Sequence, residues 1–154
     1  MIGLLTGNVR DGARLKLSHY ELFDYFSLGG YGDHHFDRDD VARESLSAVR
    51  EHLNGHLSLD DIWVIGDTPL DVRCARAIGV RVAVVATGWH SAEELRAAEP
   101  DIFLPDLTEP AALLERWSSS PKSATQASRG VPTTRTEYSV LSTEYSVLSS
   151  RWHR

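Results

Sequence analysis

The sequence alternates short apolar runs with longer segments in which apolar residues recur at helical spacing. The short runs have the length and aliphatic content of strands, and they predict strands at 2–6, 26–30, 62–65, 81–86 and 102–104. The helical spacing predicts helices at 39–54, 70–78, 91–98 and 109–117. We expect Asp39 or Asp40 to cap the first of these helices and Gly55 to close it, and Gly79 to end the second.

This alternation predicts an α/β fold, with a doubly wound, mostly parallel sheet that carries helices on both faces. The runs IWVI at 62–65 and VAVV at 82–85 are apolar almost throughout, as expected for strands that are buried on both faces. Ligands of such sheets bind beyond the carboxyl ends of the strands. The sequence places Thr6, Asp67 and Thr87 at these ends.

The sequence changes character at residue 118. The segment 118–135 is rich in Ser and Thr and is predicted to be a disordered linker. A perfect tandem repeat follows, TEYSVLS at 136–142 and again at 143–149, and two copies are too few for a solenoid. The Tyr, Val and Leu of the repeat favour a strand; we interpret the repeat as a chance duplication, with a recognition role as the alternative. The chain therefore divides into a core over 1–117 and a low-complexity, disordered tail over 118–154.

Composition narrows the function classes. The 154 residues suit one domain, and a net charge of -6 argues against nucleic acid or anionic membrane as the main partner. The single cysteine, Cys74, excludes an internal disulfide framework and fits a reducing cytoplasm. We expect Cys74 to be a small core residue rather than a nucleophile. No apolar run approaches membrane length, so the expectation is a cytoplasmic protein without a membrane partner.

The stretch GDTPLD at 66–71 places Asp67 just beyond a predicted strand and Asp71 in the first turn of the next helix. Two carboxylates with no soft ligands nearby favour Mg²⁺ over zinc. The alternative is that both residues only cap the helix, whose N-terminus attracts carboxylates in any case. Spacing alone does not separate the two interpretations.

The stretch LLTGN at 4–8 gives a hydroxyl, Thr6, at a strand end, followed by the loop amides of Gly7 and Asn8. This is a natural cradle for a phosphate oxygen, although a helix cap would look the same. Arg38 precedes the 39–54 helix and suits a phosphoryl group or a carboxylate partner, although a surface ion pair is the plainer alternative.

These three features together resemble the last three motifs of the haloacid dehalogenase-like (HAD) hydrolase superfamily, in the order and spacing of its small-molecule phosphatase branch. The features are the apolar run before Thr6, the cation at position 38, and GDTPLD after a second apolar run. The resemblance covers residues 2–117. It implies a HAD-like, Rossmannoid fold and a Mg²⁺-dependent phosphatase that acts on a small phosphorylated metabolite through an aspartyl-phosphate.

The resemblance also implies roles for single residues. Thr6 would hydrogen-bond the transferring phosphoryl group, and Arg38 would stand where the family usually has lysine. Asp67 would ligate Mg²⁺ and Asp71 would support the metal site. Gly7, Asn8, Thr87 and Gly88 would line the substrate site. Lys16 is the fallback cation, although its helical surroundings predict a surface position.

One family motif has no counterpart here. The family carries Asp-x-Asp-Gly-Thr on a strand upstream of the Thr motif, and its first aspartate is the nucleophile; here only MIGLL precedes Thr6. We therefore expect the C-terminal part of a phosphatase, inactive alone and weak in Mg²⁺ binding. A sheet without that strand would expose strand edges, which makes self-association an expectation too.

Two other classes of function remain as alternatives. The first is a non-catalytic remnant that binds phosphate or a partner protein. The second is a receiver-like or nucleotide-binding α/β module. The sequence has no G-x-G-x-x-G loop after its first strand and no acidic pair at the end of that strand, so both forms of the second alternative lack their usual motif.

Overall fold

The computed structural model describes residues 1–55, 57–118 and 138–142, which form a parallel sheet with helices on both faces. The strands are β1 (Ile2–Leu5), β2 (Leu28–Gly30), β3 (Ile62–Gly66), β4 (Arg81–Val85), β5 (Ile102–Leu104) and β6 (Tyr138–Ser142). The helices are α1 (Arg10–Ser18), α2 (Arg38–His52), α3 (Pro69–Ile78), α4 (Ala92–Ala97) and α5 (Ala111–Ser118). None of these described helices has the length and apolar character needed to cross a membrane.

The predicted fold class is confirmed, and most predicted elements are present with ends shifted by one or two residues. Helix α1 lies in the stretch around Lys16 whose helical character was noted without predicted bounds. The cap of α2 was predicted wrongly, because Asp37 and not Asp39 or Asp40 caps this helix. Its side chain accepts a hydrogen bond from the backbone N–H of Asp39 at 3.0 Å. Gly79 ends α3 in the left-handed conformation, with φ +71°, as expected.

The core lies on both faces of the sheet because successive side chains of each buried strand point to opposite sides. On one face, Val64 of β3 and Val82 of β4 pack with α2, α3 and α4 through the apolar cluster that also includes Val41, Val72 and Leu95. On the other face, alternate residues of the same strands pack against α5. That second cluster contains Trp63, Ile65, Ala83, Val85, Leu104 and Leu113.

The sheet has the strand order β2-β1-β6-β3-β4-β5, so β6 lies in its middle. Strand β6 is parallel to both neighbours, with Val140 opposite Gly3 of β1 and opposite Val64 of β3. The sequence led us to expect unpaired strand edges at this place. Instead, the edges of β1 and β3 that face each other both pair with β6.

Strand β6 comes from the tail that was predicted to be disordered. Within 118–154 the structure describes Ser118, which ends α5, and residues 138–142, which form the strand from the first copy of the repeat. The strand-like composition of the repeat therefore agrees with the conformation of this copy. The remainder of the predicted disordered tail lies outside the described residues.

Gly30 sets how closely α2 approaches the sheet. A Cβ at this position would overlap the Ser45 hydroxyl and would lie 2.6 Å from the carbonyl oxygen of Val41, both in α2. Because a backbone carbonyl cannot move aside cheaply, we expect Gly30→Ala to lower the free energy of unfolding by about 2 kcal/mol, as overpacked sites do. Equilibrium unfolding in urea measures the change.

Gly12 offers the matched control. It lies within α1, and an added Cβ would meet only the Val9 side chain, at 3.4 Å. Gly12→Ala should raise the free energy of unfolding by up to about 1 kcal/mol, since alanine is the better helix former. Equal effects of the two substitutions would mean that α2 does not depend on the close approach at Gly30.

Candidate active site

The start of α3 is built around the carboxylate of Asp71, which is 1% exposed. Its Oδ2 accepts hydrogen bonds from the backbone N–H of Asp67 at 3.1 Å, from the N–H of Thr68 at 3.0 Å, and from the Thr68 hydroxyl at 2.9 Å. The Thr68 hydroxyl in turn accepts from the N–H of Asp71, which completes a capping box. Gly66 permits this arrangement, because a Cβ there would overlap the Asp71 carboxylate.

The second oxygen of Asp71 binds Arg38. The Arg38 Nη2 donates to Asp71 Oδ1 at 3.3 Å, and the arginine side chain is 14% exposed. This ion pair joins the first residue of α2 to the first turn of α3 and compensates the buried carboxylate charge. Arg73 makes a second connection between the same helices on the surface, donating to Asp37 and to Asp39 at 2.9 Å each.

Asp67 follows β3 directly and is 4% exposed. The loop after β4 approaches its carboxylate so closely that a Cβ at Gly88 would overlap Asp67 Oδ2. Thr87, the neighbour of Gly88, is exposed, and its N–H donates to the Val85 carbonyl at 2.9 Å. The structure therefore brings Gly88 to the carboxylate and leaves Thr87 open to solvent.

Thr6 belongs to a separate group of polar residues after β1. The Thr6 hydroxyl, which is buried, accepts hydrogen bonds from the backbone N–H of Asn8 at 3.1 Å and from Asn8 Nδ2 at 2.9 Å. Lys16 reaches back from α1 and donates to Asn8 Oδ1 at 2.7 Å. Gly7 is exposed between them, and its carbonyl lies against Gly32. A cation, an amide and a hydroxyl thus form one connected chain at this strand end.

The predicted site residues therefore fall into two groups on either side of β6. One group contains Thr6, Gly7, Asn8 and, in addition, Lys16; the other contains Arg38, Asp67, Asp71 and Gly88. Because β6 separates β1 from β3, the two strand ends lie two strand spacings apart, about 10 Å.

Sequence reasoning missed Thr68 and named Lys16 only as a fallback cation. Thr68 supplies two of the three donors to Asp71 Oδ2, and the Ser/Thr-x-x-Asp/Glu signature of a capping box in TPLD was the available signal. Lys16 was predicted to lie on the surface. The structure shows it half-buried against Asn8, because α1 turns this side of the helix toward the loop after β1.

Asp67 is the candidate metal ligand at this edge of the sheet. Both oxygens of Asp71 accept from protein donors, so this carboxylate would have to give up Arg38 to coordinate an ion. Among the residues that the structure describes, no group of three or more His, Cys, Asp or Glu could hold a metal. One carboxylate suits only Mg²⁺ that keeps several water ligands and draws further oxygens from a phosphate.

Cys74 lies near Asp39 but does not have the surroundings of a nucleophile. Its side chain is fully buried, and its sulfur is 3.8 Å from Asp39 Oδ1. Burial raises the pKa of the Cys74 thiol above its usual range, which favours the neutral thiol at physiological pH. This agrees with the expectation of a small core residue.

One protein-family model matches the middle part of the chain. Residues 41–110 match the family model described as HAD-hydrolase-like. The match includes α2 from Val41 onward, GDTPLD and the loop with Thr87 and Gly88, so the predicted resemblance is confirmed, while Thr6 and Arg38 lie outside the matched residues. No curated protein sequence matches the chain.

Solved structures show the same likeness. A protein described as a predicted phosphatase from Clostridium acetobutylicum shares 26% identity, with a TM-score of 0.61 over 73% of this chain and 51% of its own. A protein from Clostridium difficile, also described as a phosphatase, shares 21% identity with a TM-score of 0.62 over 72% of this chain and 51% of its own. A haloacid dehalogenase-like family protein from Streptococcus pneumoniae shares 20% identity, with a TM-score of 0.60 over 73% and 50%. This chain therefore spans about half the length of the structures that it matches.

The buried ion pair predicts a strong effect of Asp71→Asn. In either orientation, the NH₂ of the new amide would point at a hydrogen-bond donor. The donor would be the Arg38 guanidinium in one orientation and the backbone N–H groups of Asp67 and Thr68 in the other. We expect the free energy of unfolding to fall by about 3 kcal/mol, because one charge of a buried pair is left uncompensated. Urea unfolding measures this.

Asp40→Asn is the matched control, because Asp40 pairs with Arg43 on the exposed side of α2. Its effect should stay below about 0.5 kcal/mol. A loss at Asp71 no larger than at Asp40 would contradict the organising role of the buried carboxylate.

The environment of Cys74 predicts low reactivity. Because the thiol is buried and its pKa is raised, less thiolate is present at pH 8 than in an exposed cysteine. We expect labelling with Ellman's reagent at pH 8 to be at least about 100-fold slower in the folded chain than in 6 M guanidinium chloride, where the chain is unfolded. Equal rates in the two solutions would show that the site around Asp39 opens readily.

Proposed function

This chain carries part of a HAD-like hydrolase fold, and from that premise we propose that it belongs to a Mg²⁺-dependent phosphatase that acts on a small phosphomonoester. The observation that carries the proposal is the position of Arg38. A buried carboxylate holds its guanidinium at the carboxyl edge of the sheet, beside the strand end that bears Asp67. A fixed cation there favours an anionic group, and its planar donors match phosphoryl oxygens.

In this proposal, each site residue contacts a different part of the substrate or positions a residue that does. Arg38 would stabilise charge on the phosphoryl oxygens, and Asp71 would keep the guanidinium in place. The Thr6 hydroxyl and the amides of Gly7 and Asn8 would hydrogen-bond the phosphoryl group from the other side of β6. Gly88 leaves room near Asp67, and Thr87 would contact the part of the substrate that faces solvent.

Asp67 would hold Mg²⁺, with Asp71 acting on the site through the backbone of Asp67 rather than as a ligand. The ion, when bound, would neutralise phosphate charge. Because one described carboxylate is a small ligand set, we expect Mg²⁺ to bind weakly unless a phosphate is also present.

In the complete enzyme, an aspartate would attack phosphorus and expel the alcohol, and water would then hydrolyse the aspartyl-phosphate to inorganic phosphate. The one Asp-x-Asp in the 154 residues is Asp37-Arg38-Asp39. Asp37 caps α2 and both carboxylates bind Arg73, so neither is placed at a strand end as a nucleophile. We therefore propose that these 154 residues bind phosphate but do not hydrolyse the ester.

The second candidate function is non-catalytic phosphate binding. It is favoured by the engagement of both Asp71 oxygens with protein donors, which leaves the described edge with a binding geometry and without a metal cluster. Both candidates predict that phosphate binds to this chain. They differ in whether the complete protein turns over a phosphomonoester in Mg²⁺.

Hydrolysis of para-nitrophenyl phosphate, in Mg²⁺ and in excess EDTA, tests the catalytic part of the proposal. We expect no release of para-nitrophenol by the folded 154-residue chain above the buffer rate. Turnover that requires Mg²⁺ and disappears in Asp67→Asn would contradict the proposed inactivity and would require a nucleophile within this sequence.

Binding of inorganic phosphate, measured by calorimetry, tests the recognition part. Thr6→Val keeps the shape of the buried side chain but removes its hydroxyl, and a lost hydrogen bond to an anion is worth about tenfold in affinity. Thr108→Val is the control, since Thr108 is exposed in the loop after β5. Equal affinities of the two variants would remove Thr6 from the phosphate site.

A further inference from the structure

The sequence of the central strand occurs a second time in the chain. Strand β6 is YSVLS at 138–142, and the same five residues recur at 145–149 within the second copy of TEYSVLS. We propose that residues 145–149 of the same chain are an alternative occupant of the slot between β1 and β3. In this state the second copy forms the central strand and the first copy becomes part of the connection to α5.

The slot recognises a strand through pairing on both edges. Ser139 lies opposite Ile2 and Trp63, Val140 opposite Gly3 and Val64, and Leu141 opposite Leu4 and Ile65. A register slip of one residue would turn every side chain to the wrong face. A shift of one whole repeat does not, because each residue is replaced by an identical one. The two copies therefore make the same interactions in the slot.

The copies differ in the length of chain that connects them to α5. From Ser118, the first copy follows after 19 residues and the second after 26. If both connections are treated as ideal chains, loop closure disfavours the second copy by about 1.6-fold. This small factor predicts that the slot holds the first copy in about 60% of the molecules and the second in about 40%.

The same chain is the expected source of the second strand. A segment joined by a short connection competes at an effective concentration in the millimolar range, whereas another molecule competes at its actual concentration. In a micromolar solution the attached copy therefore occupies the slot before a copy from a second molecule does. This separates the proposal from strand exchange between molecules.

Proline substitution in each copy tests the proposal with full-length chains. Proline cannot donate to the ladder of a central strand, so Val140→Pro disables the first copy and Val147→Pro disables the second. If either copy can fill the slot, the equilibrium constant for unfolding rises by about 2.6-fold in Val140→Pro and about 1.6-fold in Val147→Pro. The double variant should rise by about 100-fold or more. Ala127→Pro, outside both copies, is the control and should change little.

Three results would overturn the proposal. If Val147→Pro leaves stability unchanged and Val140→Pro is as unstable as the double variant, only the first copy fits the slot. If the double variant unfolds like the unmodified chain, the sheet does not depend on a strand from the repeat. If the stability of Val140→Pro rises with protein concentration between 1 and 100 μM, the replacement strand comes from a second molecule. None of these measurements depends on phosphate binding or hydrolysis.

Discussion

The carboxylate of Asp71 is the interaction on which the arrangement of this site depends. It is buried, it satisfies the donors at the start of α3, and its second oxygen holds Arg38 at the start of α2. A carboxylate buried in this way is costly unless it is both paired and hydrogen-bonded, and here it is both. The two helices consequently present their N-termini, with their partial positive charge, to the same edge of the sheet.

This arrangement gives the two aspartates of GDTPLD different roles. The sequence left open whether they bind a metal or cap a helix, and the structure gives them different surroundings. Asp71 completes the capping box with the N-cap residue Thr68 and is the partner of a cation, while Asp67 lies between a strand end and Gly88. The two aspartates, four residues apart, are therefore not equivalent ligands. Asp71 organises the start of α3, and Asp67 faces the site.

The sequence was sufficient for the fold class and for the strand ends, because both follow from local patterns. Buried parallel strands are nearly continuous apolar runs, so IWVI and VAVV located β3 and β4, and the polar residue after β3 followed directly. Lys16 could not be placed in the same way, because its contact with Asn8 depends on how α1 packs against the loop. The position of β6 was harder still to predict from the sequence, because it depends on pairing with residues more than 70 positions away along the chain.

The central position of β6 has a consequence for the order in which this protein is assembled. The other five strands precede residue 105, whereas the strand that connects β1 to β3 begins at Tyr138. During synthesis, β1 and β3 emerge first and lack their shared neighbour until residues 138–142 have been translated. Contacts between distant parts of a sequence form slowly. Until β6 is present, β2 and β1 on one side and β3, β4 and β5 on the other have unpaired edges. The interval before β6 is synthesised is therefore a period in which the nascent chain is exposed to aggregation and to chaperones.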